Sequence, residues 1–224
     1  MYNIMIETAI KTSSDMVICD YINIFENYEG KDIKINKVSI YNFTPHEILN
    51  KLFVKGKFDV VPWNKLYKKS LFCNLRFKVN RVNKDEFLIH EIIYKCKKIS
   101  IIDSKLYYYR HRPGSIMNSK FEIRKFDRLY ALSKRVEFFY ENNEIELMMK
   151  VEKWLVDSLI WNYYFAIEEN YNIEGELKEI KKEFNKRFLG LMRNNILSIK
   201  QKLLIIIFYY SPKVYKKLIL NKEL

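Results

Sequence analysis

The sequence predicts a mixed α/β portion up to about residue 118, followed by an α-helical region over 119–224. Three observations carry that expectation. Strand-like apolar runs fall at 16–25, 33–40 and 99–109 and nowhere later. From Glu122 onward the apolar spacing is helical throughout. Glycine and proline number only 5 and 4 in 224 residues, too few for a turn-rich all-β chain.

The elements follow in order. Ile4, Met5, Thr8 and Ile10 recur at helical spacing, so 2–13 reads as a helix. Met16–Phe25 reads as a strand buried at its start, and Ile33, Ile35, Val38 and Ile40 alternate as a second. Thr44 before Pro45 is an N-cap for a helix over 45–53. An extended stretch at Trp63 leads into a helix ending at Phe72, and Asp85–Lys97 reads as another helix. Ile99–Ile102 and Leu106–Tyr109 read as two strands joined by Asp103-Ser104-Lys105, and Pro113-Gly114 marks a loop over 110–115. Helices are expected at 122–141, 144–170, 176–193, 196–210 and 212–220. The stripe Trp154, Leu155, Ser158, Leu159, Trp161, Asn162, Phe165 reads as core packing.

Composition limits the class. Apolar residues are 49% and aromatics 16%, enough for a sizeable core, which excludes disorder. The net charge of +13 is concentrated: residues 51–84 carry 10 basic against 1 acidic side chain, and 178–224 carry 12 against 3. Such blocks suit polyanions, or are simply a lysine-rich solvated surface. Cys19, Cys73 and Cys96 have no paired spacing, and the N-terminus is not a signal peptide, so a cytoplasmic chain is expected. The scattered His46, His90 and His111 offer no metal-ligand spacing. Asp15 and Asp20, five apart on a presumed strand, face opposite sides and make no metal pair.

Four stretches, in order, carry a family resemblance: Asp15-Met16-Val17-Ile18-Cys19-Asp20-Tyr21, Trp63-Asn64-Lys65-Leu66-Tyr67-Lys68-Lys69, Lys84-Asp85-Glu86-Phe87, and Tyr107-Tyr108-Tyr109-Arg110-His111-Arg112-Pro113-Gly114-Ser115-Ile116. Together they resemble the C-terminal part of a family 2 bacterial glycosyltransferase of the GT-A fold, covering about residues 2–140. The resemblance implies a partial GT-A sheet over 1–118 and a missing nucleotide-binding half. That half would bind the nucleotide-sugar donor and a divalent cation, Mg or Mn. No cofactor is expected within this chain.

The resemblance also assigns residues. Asp85 stands where the family has its base, although Lys84 replaces the usual preceding Glu; a first-turn carboxylate would be kept ionised by the helix dipole. Arg110, His111, Arg112 and Ser115 correspond to the loop closing over the donor diphosphate, which guanidinium groups suit. Trp63, Asn64 and Lys65 fall on the acceptor side, where a ring stacks on a sugar and an amide bonds its hydroxyls. Each has a plainer reading: Asp85 as a cap, the arginines as an exposed basic loop, Trp63 as a core anchor.

The expected function is sugar transfer to a cell-surface polysaccharide or lipid-linked acceptor, the chain being inactive alone. The alternative is a non-catalytic binding module or split-enzyme subunit at the inner membrane surface. Leu203–Tyr210, flanked by Lys200, Lys202, Lys213, Lys216 and Lys217, reads as a basic tail on the inner leaflet or as a buried helix. Nucleic acid is disfavoured, since no reader helix or stacking motif is present.

Overall fold

The computed structural model describes residues 1–25, 38–54, 56, 58–112, 126–168 and 174–219. The chain divides into two compact units, Met1–Glu122 and Ile123–Leu224.

The first unit is built on a four-stranded sheet of order β2-β4-β1-β3. β1 (Met16–Ile24) runs parallel to β4 (Ile99–Arg110), while β3 (Lys65–Tyr67) and β2 (Ile40–Phe43) pair antiparallel at the two edges. The first four residues of β1 are all buried, as expected for a strand covered on both faces. Val17 and Cys19 turn to one face and form a core with Ile102, Leu106 and Met5 of α1 (Tyr2–Thr12). α1 stops at Ser13, which takes the left-handed conformation at φ 54°. Thr12, Ser14 and Ser100 share a chain of hydroxyl bonds that ends on Asn42 of β2. The opposite face of α1 leaves Tyr2, Ile6 and Ile10 exposed, four residues apart each time.

α2 (Pro45–Lys51) carries the expected N-cap, completed as a box: Glu47 N–H donates to Thr44 Oγ1 at 3.2 Å and Thr44 N–H to Glu47 Oε2 at 2.7 Å. Several expectations change. The stretch expected as a helix ending at Phe72 is β3 followed by a 3-10 turn, Lys69–Phe72, because Leu66 pairs with Val17. α3 is shorter than 85–97 and spans Ile89–Lys95. The two strands expected around Asp103 are one strand, β4. The sheet absorbs the extra residues as a bulge: Cys19 pairs with Ile102, Asp20 with Lys105 and Tyr21 with Tyr107. Of the second expected strand, 33–37 lie outside the described residues, and β2 spans Ile40–Phe43.

The second unit is helical: α4 (Asp127–Glu141), α5 (Ile145–Glu168), α6 (Glu174–Arg193), α7 (Ile199–Tyr210) and α8 (Pro212–Ile219). Its aromatic centre is Phe208, fully buried, with Phe184 at 4.7 Å and Tyr163, Tyr164 and Tyr215 packed edge-on. Ser133 and Arg187, both buried, join α4 to α6 around Glu183. The α5 stripe divides. Leu155 and Leu159 are core, but Trp161 is 61% exposed, stacked on Phe165 at 4.8 Å. Among the described residues, no helix is long and apolar enough to cross a membrane.

Candidate functional site in the first unit

The first unit holds a row of aromatic rings along β4 and β1. Tyr107 and Tyr109 are two apart on β4 and so share a face. Trp63 lies flat across both, at 4.6 and 5.0 Å. Tyr21 of β1 meets Trp63 edge-on at 4.8 Å, and His111 meets Tyr109 edge-on at 5.0 Å. His111 in turn stacks on Phe25 at 4.9 Å, and Phe25 is 67% exposed. These geometries are the favourable offset and T-shaped ones.

Tyr107–Arg110, matched in sequence to a donor loop, is the end of strand β4. His111 prolongs the pairing, its N–H donating to Ile24 O at 2.9 Å and its Nε2 lying 2.9 Å from Asn23 Oδ1. Arg110 and Arg112 are exposed. Ser115 lies outside the described residues.

Asn64 and Lys65, expected on the acceptor side, point inward. Asn64 donates to Cys19 O at 2.8 Å, and Cys19 N–H returns a bond to Asn64 O at 3.0 Å, which fastens β3 to β1. Lys65 is 5% exposed and its ammonium donates to Asp59 O, Val61 O and Asn64 Oδ1 at 2.6, 2.6 and 2.8 Å. The three N–H groups thus pin the segment leading to Trp63. The Phe58 ring lies 4.8 Å from the same nitrogen. Burial pulls the ammonium down to about 7, against the attraction of the Asp59 and Asp85 carboxylates.

Asp85 is not in the first turn of a helix, since α3 begins four residues later. Its backbone carbonyl accepts from Leu88 and Ile89 N–H, and its Oδ1 accepts from Glu86 N–H at 3.1 Å. The helix dipole expected to keep it ionised therefore does not apply, and burial raises the carboxyl above its ordinary range, with the Glu86 N–H and Lys65 only partly opposing. Nearby Tyr67 is also pushed up by burial.

Sequence reasoning missed Asp59 and Tyr21. Tyr21 Oη donates to Asp59 Oδ2 at 3.0 Å, and burial with that carboxylate raises the phenol. Asp59 was the one acid in a block of ten bases, the signal that it has an assigned place. The parts line up: the Asp85 carboxylate attracts the Lys65 ammonium, Lys65 holds the Asp59 main-chain carbonyl, the Asp59 carboxylate accepts from Tyr21, and Tyr21 abuts Trp63 and Tyr109, which in turn meets His111.

Beside this row lies a cavity of about 320 Å³ lined by Asp20, Tyr21, Tyr41, Asp59, Asn64 and Asp103 among others. Among the described residues no group of three His, Cys, Asp or Glu is placed to hold a metal ion. Asp15 is a structural pin. Burial opposes its ionisation, but the Lys97 N–H at 2.7 Å and Lys68 at 3.3 Å hold it below the usual carboxylate range.

The first unit thus joins a sheet with a parallel central pair, an aromatic row and a raised carboxyl. No family model matches the chain. Over 134 residues it is 32% identical to the glycosyltransferase GlyG of Streptococcus pneumoniae, covering 53% of this chain and 43% of that protein. Over 149 residues it is 30% identical to the putative glycosyltransferase EpsH of Bacillus subtilis, covering 63% and 42%. The chain thus spans about four tenths of the length of these curated relatives. Its fold matches that of S. aureus TarS 1–349, solved with UDP-GlcNAc, at a TM-score of 0.63 and 12% identity, over 95% of this chain and 60% of that one.

Proposed function

We propose that this chain supplies the acceptor-side half of a family 2, GT-A-type sugar transferase. The acceptor is a glycan or lipid-linked saccharide of the cell surface, and the donor a nucleotide sugar. The observation that carries the reading is the aromatic row of Tyr21, Trp63, Tyr107, Tyr109 and His111, pinned through Asp59 and Lys65, with the raised Asp85 carboxyl exerting its attraction on Lys65. The similarity to GlyG and EpsH supports the transferase class, and the UDP-GlcNAc in TarS supports a nucleotide-sugar donor.

Each part has a task. Asp85 takes the proton of the acceptor hydroxyl as that oxygen bonds the anomeric carbon and the carbon–diphosphate oxygen bond breaks. A carboxyl raised by burial is closer to working pH and so a better base. Trp63 offers an apolar face for a sugar ring, and Arg110 and Arg112 offer forked donors for the departing diphosphate. Asn64 and Lys65 position the Trp63 segment. A divalent cation falls to the nucleotide-binding half, since among the described residues no group of three His, Cys, Asp or Glu is placed to hold one.

The test is nucleoside diphosphate release over a panel of nucleotide sugars, with the chain alone and with a nucleotide-binding half supplied. The chain alone should show none. The pair should turn over, and Asp85→Asn should lose on the order of 10²–10⁴ in rate. Turnover by the chain alone, or full rate in Asp85→Asn, counts against the reading.

A second reading, the split-enzyme subunit or non-catalytic binding module, is favoured by α1. Tyr2, Ile6 and Ile10 are 61%, 46% and 75% exposed on one stripe. A companion nucleotide-binding half is the fitting occupant, given how much of the relatives' length lies outside the match. Ile6→Glu should abolish co-purification with such a half; unchanged capture would remove this reading.

A further inference from the structure

The last two helices of the second unit carry an apolar face turned to solvent. α7 sends Ile205 and Phe208 into the core, at 4% and 0% exposure. On its other side Ile199, Leu203 and Tyr210 are 80%, 55% and 77% exposed. At about 100° per residue these three fall within an arc of roughly 40°, opposite the buried pair. One residue beyond, α8 exposes Val214 and Leu218 at 49% and 41%. α7 is firmly seated. Lys181 donates to Phe208 O and Tyr209 O, and Lys202 to Met192 O at 2.8 Å. The exposed stripe therefore belongs to a fixed helix.

The charge around this stripe has one sign. Residues 199–219 hold five lysines and no Asp or Glu. Lys200, Lys213 and Lys217 are exposed beside the apolar side chains. An exposed apolar face of this kind marks an interaction surface.

We propose that α7 and α8 dock on an anionic lipid bilayer surface. Ile199, Leu203 and Tyr210 enter the boundary between headgroups and acyl chains, and Lys200, Lys213 and Lys217 meet the lipid phosphates. Tyrosine suits that depth, with its ring in the apolar layer and its hydroxyl at the headgroups. Charge selects this occupant over a second copy, since two such faces would set three exposed lysines against three with no Asp or Glu in 199–219. The apolar stripe selects it over nucleic acid, which has no apolar layer to receive Ile199 and Leu203. The inference does not depend on sugar transfer.

The test is co-sedimentation of the full chain with phosphatidylcholine vesicles, and with vesicles containing about 30% phosphatidylglycerol. Partition onto the anionic vesicles should exceed the neutral ones at least about tenfold, and fall at least about tenfold from 50 mM to 500 mM salt. A lysine near such a surface is worth about fivefold, so K200E/K213E/K217E should lose at least about tenfold. L203S/Y210S should lose about tenfold and keep the salt dependence. All these positions are exposed, and far-UV circular dichroism checks the fold; the salt series on the unaltered chain needs no variant. Equal partition onto both vesicle types, or undiminished binding by the charge-reversed variant, overturns the proposal. So does absent vesicle binding with self-association or single-stranded RNA binding that these variants abolish.

Discussion

Lys65 should make the stability of the first unit rise with pH. Its ammonium is buried at 5% exposure and drawn from an ordinary 10.5 down to about 7. In the unfolded chain the amine recovers the ordinary value. Between those values the unfolded state binds more protons than the folded state, so stability increases with pH and is lost as pH falls through 7. Each unit of difference is worth about 1.4 kcal/mol at full effect. Between pH 7 and 8.5 the folded group is partly titrated at the start, so the gain is about 1.5 kcal/mol. The window ends there because Cys19 and Cys96 have raised thiols, the latter at about 12. Above 9 the unfolded chain ionises those thiols first, which removes stability. The assay is urea unfolding followed by Trp63 fluorescence, with Trp154 and Trp161 replaced by Phe so that only the first unit reports. Lys65→Met keeps the stem, removes the titration and should be flat over the window. If wild type and Lys65→Met share one pH course, the three carbonyl-type acceptors hold the proton and the reasoning fails.

Three other outcomes are expected. Asp85→Asn should stabilise the first unit slightly at pH 7, by less than about 1 kcal/mol because solvent screens the group. Its raised carboxyl contributes stability that is full below the ordinary 3.8 and is lost as pH rises through the raised value, so the variant's advantage should vanish below pH 4 in the same urea assay. A thiol reagent under native conditions should label Cys73 quickly, while Cys19 and Cys96 react only on unfolding, since both are buried and Cys96 is pushed up to about 12. Gly190→Ala would place a methyl 2.9 Å from Glu152 Oε1. Helix propensity gains about 1 kcal/mol, but the bond from Asn194 to the buried Glu152 is worth about 1.5–3, so the second unit should lose about 1 kcal/mol by thermal unfolding.

Much of the architecture was legible along the chain. Helix periodicity over α4–α8 and the Thr44-Pro45 start of α2 are local signals, fixed by side-chain spacing and a single cap. The buried opening of β1 was equally plain, a run of apolar residues with no polar interruption. Of the residues that carried the family resemblance, Trp63 stacks on Tyr107 and Tyr109 of the stretch into Arg110, while Asp85 reaches them only through its attraction on Lys65.

Tertiary contact decided the rest. Lys65-Leu66-Tyr67 has no strand signature of its own; it is extended because β1 offers it a partner edge. Asp103-Ser104-Lys105 looks like a turn, yet the parallel neighbour β1 holds it in one bulged strand. Lys65 and Asn64 are polar letters that sequence places at a surface, and only the carbonyls of Asp59, Val61 and Cys19 explain why they are inside. Sequence fixes what a residue prefers at its own position. Whether a carboxyl such as Asp85 is raised, or a helix face such as that of α7 stays uncovered, depends on which distant groups the fold brings beside it.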